Sequence, residues 1–286
     1  MSPRPQTIQI VLPGGDPRGI RVAEVTTRIV QVIEVPRSLL GSFLQMPQSE
    51  QVAVYFLVAE SDDGTERRVY VGQSGDLRAR LTEHNKSKPF WQRALVMVSR
   101  THSLTQTHAL FLEWHSLQAI RQAARFTDDN GNAGSRPHTP APLQADCLEM
   151  FDTARTLLAT LGSPLFDAVA GGSDASAPAE VFVCRASGSD GRGLYTEEGF
   201  VVLKGSVGRL RSVPSIAGTA DDTLRQRLLQ QGVMRAEGDT VVFQRDHLFR
   251  SPSSAAVALL GRTANGWIEW KTADGRTLDE AKRQGG

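Results

Sequence analysis

Cysteine is scarce in this chain and its charges nearly cancel, and each shortage removes a class of explanation. Only Cys147 and Cys184 occur. They stand far apart with no paired ligand spacing, so the sequence offers neither a zinc motif nor a disulfide framework, and a reducing, cytoplasmic setting is the expectation. The net charge of +1 does not indicate a globally basic nucleic-acid binder, and leaves any affinity for phosphate to local clustering. No apolar run reaches membrane-spanning length. The opening Met1-Ser2-Pro3-Arg4-Pro5 lacks the apolar core of a signal peptide, so no membrane partner is expected. What is present is the composition of an ordinary soluble protein, 40% hydrophobic and 22% charged over 286 residues. That length is enough for two modest domains, each with its own core.

Punctuation along the chain divides it. Residues 1–48 read as a β-rich extension: a strand over 7–12, a turn at Gly14, Gly15, Asp16 and Pro17, a second strand-like stretch over 19–33, and a short helical piece. Residues 49–166 form a central block. Gly, Ser, Ala and Pro dominate 171–178, so 167–179 read as a flexible linker. Residues 180–286 form a second unit. Its expected strands are 180–184, 199–205, 241–243 and an aromatic final strand, 266–270. Its expected helices are 223–231, stopped by Gly232, and one opened by Ser251-Pro252 and closed by Gly261.

Within the central block, Val52, Val54, Phe56 and Val58 alternate with Ala53, Tyr55, Leu57 and Ala59, the pattern of a strand covered on both faces. Asp62, Asp63 and Gly64 make a turn that returns 68–72 as its hairpin partner. Asp76 is placed to cap a helix whose inward face carries Leu77 and Leu81. A third strand over 90–98 and a long helix over 105–126 complete the order β-β-α-β-α. On that last helix Glu113 shares the three-four stripe of Leu110, Leu117, Ile120 and Ala124. A carboxylate on an inward stripe is costly unless paired or bound to a cation. A salt bridge is its ordinary use. The other is to hold Mg²⁺ or Mn²⁺, which accept one or two carboxylates completed by water and substrate phosphate. Arg80 and His84 lie four apart on one helix face, and arginine's fixed fork of donors suits a phosphate.

These residues and their spacing resemble the GIY-YIG nuclease family. Ala53-Val54-Tyr55 stands for the first signature and Tyr70-Val71-Gly72 for the second, with Arg80, His84 and Glu113 following at the family's spacing over about residues 51–135. The resemblance implies a compact α/β (α+β) domain, a small mixed, largely antiparallel sheet flanked by helices, followed by a smaller α+β domain. It implies metal-dependent hydrolysis of DNA phosphodiesters, with no small-molecule cofactor. Arg80 would stabilise charge on the phosphate, Tyr70 would steer or deprotonate water with Tyr55 as its partner, His84 would assist, and Glu113 would hold the ion. The family's late asparagine falls on Asn130 or Asn132. Gln73 stands where some members carry a lysine that assists the base.

Basic residues cluster around these positions. Arg78, Lys86, Lys88 and Arg93, with Trp91 as a base-stacking ring, are the expected nucleic-acid contacts, and binding should weaken with salt. In the second unit, the phrases from Glu198 to Ser206 and from Ser251 to Ala256 resemble an uncharacterised domain often appended to GIY-YIG proteins. The latter, with Asn265-Gly266-Trp267, also resembles small domains associated with restriction and adenine-methylation systems. Two functional readings follow: a DNA endonuclease whose C-terminal domain aids substrate recognition, or a catalytically inactive module that keeps the fold to bind nucleic acid or partners.

Overall fold

A strand apolar on both faces must lie inside a sheet covered on both sides, and the computed structural model shows this for the first unit. The structure describes residues 5–61, 66–131, 134–169, 180–186 and 188–283. The turn at Asp62, Asp63 and Gly64, the linker stretch 171–178 and the alternative asparagine Asn132 lie outside the described residues. The chain forms two compact units, the first reaching Asp167 and the second beginning at Ala168. Both mix helices with mainly antiparallel sheets, as expected.

In the first unit the elements run β1 (Ile8–Val11), β2 (Arg21–Val25), β3 (Val30–Pro36), α1 (Leu40–Phe43), β4 (Ala53–Glu60), β5 (Arg67–Ser74), α2 (Leu77–Ser87), β6 (Arg93–Ser99), α3 (Gln106–Ala123), β7 (Thr127–Asp128) and α4 (Ala141–Thr160). Seven strands form one sheet in the order β1-β2-β3-β6-β4-β5-β7, every pair antiparallel except β5 with β7. The stretch expected as a single strand over 19–33 is the β2–β3 hairpin, paired Arg21 to Glu34 through Glu24 to Gln31. β3 then pairs with β6 along its whole length. The first three strands therefore continue the central sheet rather than preceding it as a separate body.

The alternation in β4 sorts its side chains onto two cores. Val54, Phe56 and Val58 join Leu112, Leu117 and Ile120 of α3 on one face. Ala53, Tyr55 and Leu57 join Leu77 and Leu81 of α2 and Trp91 on the other. The inward stripe of α3 is offset from the expected one, because Leu110 is exposed and Ala109, Leu112 and Ser116 take the buried positions. α4 occupies a stretch for which the sequence reading names no element. Cys147, Met150, Phe151, Ala154, Leu157 and Leu158 recur there at helical spacing and all enter the α3-side core.

The second unit contains β8 (Val181–Cys184), β9 (Gly191–Thr196), β10 (Gly199–Val202), β11 (Val207–Arg209), α5 (Ala220–Gln230), β12 (Met234–Glu237), β13 (Thr240–Phe243), β14 (His247–Phe249), α6 (Pro252–Leu260), α7 (Gly266–Glu269) and α8 (Leu278–Lys282). One sheet has the order β14-β10-β9-β8 and a smaller one β11-β13-β12. α6 begins as expected, with the Ser251 hydroxyl accepting the Ser254 N–H at 3.1 Å, and ends at Gly261 in the left-handed region. The expected aromatic strand over 266–270 is instead the short helix α7. Asn265 caps it by accepting the Trp267 N–H at 3.1 Å, and the Gly266 N–H donates to Ser253 Oγ at 3.0 Å. A side chain at Gly266 would meet the Pro252 carbonyl at 2.1 Å, so only glycine permits this approach of α7 to α6. Among the described residues no helix is long and apolar enough to cross a membrane.

Candidate active site

Pairing β4 against β5 places Tyr55 opposite Gly72 and Leu57 opposite Tyr70, so both tyrosines point to the α2 face of the sheet. Their rings lie 6.4 Å apart between centroids. Gly72 makes this possible: a Cβ there would sit 2.4 Å from the Tyr55 hydroxyl, because the ring crosses directly over it. α2 is fixed beside the tyrosines by Asp76, which accepts the Ala79 N–H at 3.0 Å, and by Leu77 and Leu81 buried beneath. From that helix His84 reaches inward, its Nε2 2.9 Å from the Tyr55 hydroxyl and its ring edge-on to Tyr70 at 5.0 Å. Arg80 lies one turn earlier with its guanidinium close to both phenols. It also pairs with Glu83 at 2.9 Å. Glu113 comes from α3 on the opposite face, half-buried, close enough to Arg80 for the two charges to interact and beside the Gln73 backbone N–H. Tyr55, Tyr70, Arg80, His84 and Glu113 are thus brought together from four elements.

Burial sets their protonation. Tyr55 is fully buried, and loss of solvent pushes its phenol well above the ordinary range despite the nearby Arg80. Tyr70 is shifted the same way by burial but is only half-buried, so its edge of the site is the accessible one. His84 is held down to about 4, first by burial and then by the Arg80 and Lys88 charges, and is therefore neutral at pH 7. With the Tyr55 phenol protonated and the imidazole neutral, one proton is shared across their contact. The His84 Nδ1 is buried with no hydrogen-bond partner. Burial raises the Glu113 carboxyl, opposed by Arg80 and the Gln73 amide.

A half-buried carboxylate that desolvation penalises is relieved by a cation. Glu113 fits Mg²⁺ or Mn²⁺ in that respect. Among the described residues no three His, Cys, Asp or Glu side chains gather, so any ion would lean on Glu113 with water and substrate oxygens supplying the rest.

Asn130 is not in the cluster, which corrects the expectation of a catalytic amide. Its Oδ1 accepts the Val71 N–H at 2.8 Å and its Nδ2 donates to the Val71 carbonyl at 2.6 Å. Both ends of the amide are spent on the β5 backbone between Tyr70 and Gly72, where they prolong the β7 pairing.

The expected nucleic-acid contacts divide. Lys86 is exposed at the end of α2. Lys88 is drawn inward, its Nζ 4.1 Å from the Tyr70 ring centroid. Arg78 turns to the preceding turn of 3₁₀ helix, bonding Ser49 Oγ and Glu50, each at 3.0 Å. Trp91 corrects the stacking expectation: it is buried, lies under Arg37, and presents no free face. Arg93 is corrected likewise. It bonds the buried carboxylate of Glu34 at 2.9 Å, and Arg21 holds that same carboxylate, so its charge is spent within the sheet.

Asp129 is an addition that the sequence reading did not single out. It is held by Arg68 and lies 3.9 Å from Lys88 Nζ. Its only signal in the sequence is adjacency to Asn130.

Comparison with known proteins bears on the second unit. Residues 182–282 match a family described as a domain of unknown function, DUF4357. No curated protein and no solved structure matches the chain.

Proposed function

We propose that this chain is a divalent-metal-dependent DNA endonuclease of the GIY-YIG type, its C-terminal unit aiding substrate recognition. The observation that carries the reading is the convergence of two tyrosines, an arginine, a histidine and one carboxylate from β4, β5, α2 and α3. Packing alone does not call for five polar groups at one point of a sheet, since each must be compensated when buried.

Arg80 is the permanent cation, and its fork would bind the scissile phosphate and oppose the charge that builds there. The phosphate would displace Glu83, whose exposed pairing is cheap to break, at about 0.2–1 kcal/mol. Tyr70, at the accessible edge, would orient the attacking water through its hydroxyl, and would take a proton only as the phenolate, which burial disfavours and the Arg80 charge favours. Tyr55 and His84 would hold the arrangement from beneath through their hydrogen bond. Glu113 would hold the divalent ion, which when bound supplies charge neutralisation at the phosphate.

The test is incubation of supercoiled plasmid, unmodified and methylated, with Mg²⁺ or Mn²⁺ beside Glu113→Ala. Nicking or linearisation by the wild type, lost in the variant while substrate binding persists, is the expected result. Salt-sensitive binding without cleavage of any substrate would replace this reading with the inactive binding module, which the reliance on a single carboxylate would then favour.

A further inference from the structure

A lysine at a helix end ordinarily extends into water or closes on a carboxylate. Lys88 does neither outright. It caps α2, its N–H donating to the His84 carbonyl at 2.9 Å, and its side chain is only 24% exposed. Its Nζ lies 4.1 Å from the centroid of the Tyr70 ring. The carboxylate within reach, Asp129, is 3.9 Å away and is held more closely by Arg68. Arg68 itself rests over Phe90 at 4.6 Å, which fixes that pair at the flank of the site. The ammonium is therefore shared between the π face of Tyr70 and Oδ2 of Asp129, while His84 packs edge-on against the same ring. An ammonium over an aromatic face attracts the ring electrostatically, more strongly as water is removed. Gln73, directly after Tyr70-Val71-Gly72 on β5, accepts a hydrogen bond from Gln106.

We propose that Lys88 is a positioning residue for Tyr70, its ammonium holding the phenol ring in register with Arg80 and Glu113. This rests on the nuclease reading of the same site. The charged and titratable groups around that ring are Tyr55 from β4, Arg80, Glu83 and His84 from α2, Lys88 at its C-terminal cap and Glu113 from α3, with Asp129 beyond β7 reaching Lys88. Lys88 is distinguished among them by direct contact with the face of the ring.

The competing role for the same lysine is a phosphate contact, and the two roles move different parameters. Lys88→Met and Lys88→Arg in the full-length protein would be compared with wild type by cleavage kinetics, by DNA binding across salt, and by NMR of ¹³C-labelled tyrosine rings. The sequence has three tyrosines, so Tyr70→Phe assigns the ring signal. The expected result for Lys88→Met is a displaced Tyr70 signal and a kcat about tenfold lower, about 1.4 kcal/mol, with KM within about twofold. Lys88→Arg, which keeps a cation over the ring, restores most of both. A raised KM with kcat intact and a salt slope reduced by about one would overturn the proposal in favour of a phosphate contact. An unmoved Tyr70 signal in Lys88→Met would overturn it whatever the kinetics. Absence of cleavage by the wild type removes the nuclease reading alone, because the ring signal still decides whether Lys88 holds Tyr70.

Discussion

Gly72 carries more of the site than any charged residue, because the Tyr55 ring occupies the space a side chain would fill. Gly72→Ala sets a methyl 2.4 Å from the Tyr55 hydroxyl, and overpacking of this kind costs about 1–3 kcal/mol. The expected outcome is a lowered melting temperature together with loss of the Tyr55–His84 contact, checked by thermal unfolding and by the Tyr55 ring signal. His84 gives a pH-dependent counterpart. Its folded pKa of about 4 lies below the ordinary histidine value near 6.5, so between those values the unfolded chain binds the extra proton. The stability His84 contributes is therefore fully present above about pH 6.5 and is lost as pH falls toward 4. Denaturant midpoints for wild type and His84→Gln, measured from pH 7 to 4, should converge as the pH drops. Parallel curves would contradict the buried neutral imidazole. At this scale the resemblance to a known family, rather than spacing alone, picks out Tyr55, Tyr70, Arg80, His84 and Glu113, which the structure brings near one another. The use of Asn130 was not legible in the sequence, because an amide that bonds a neighbouring strand's backbone has the same sequence signature as one that faces a ligand.

Between elements, the pairing of β3 with β6 decides what the basic residues do. Arg21 and Arg93 converge on Glu34, buried in the sheet, where a broken ion pair leaves an uncompensated charge. Glu34→Ala should therefore destabilise the first unit by about 2–3 kcal/mol, below the value for a fully buried pair because both arginines keep some solvent. Arg93→Ala should lower the melting temperature while leaving the salt dependence of DNA binding unchanged, and a salt slope that falls would restore Arg93 as a phosphate contact. Trp91 makes the same point. Its ring fills the α2-side core, so Trp91→Ala should cost about 3–5 kcal/mol, read by denaturant unfolding. The sequence places Trp91 next to a basic run, which is also how a stacking ring would be placed. Which side of β6 is covered depends on α2 and the turn after β3, and no local pattern reports that.

Across the whole molecule, each unit owns a core. The first is built on both faces of the seven-stranded sheet, and the second on α6, Trp270 and the four-stranded sheet. Residues 1–179 and 180–286 produced separately should each unfold cooperatively on heating, and a second unit that stays unfolded alone would show that its core is incomplete. If it aids recognition, the first fragment should retain the Glu113-dependent chemistry with weaker or less selective DNA binding. By itself the sequence determined the division into two units and the β-β-α-β-α order, because strand alternation, helix caps and glycine turns are local rules. Only the tertiary structure decided that β1–β3 complete the central sheet, that 266–270 is a helix, and that Trp91, Arg93 and Asn130 are committed to packing and pairing. Those outcomes depend on which surfaces meet, and burial of a ring or a charge is set by partners far away in the chain.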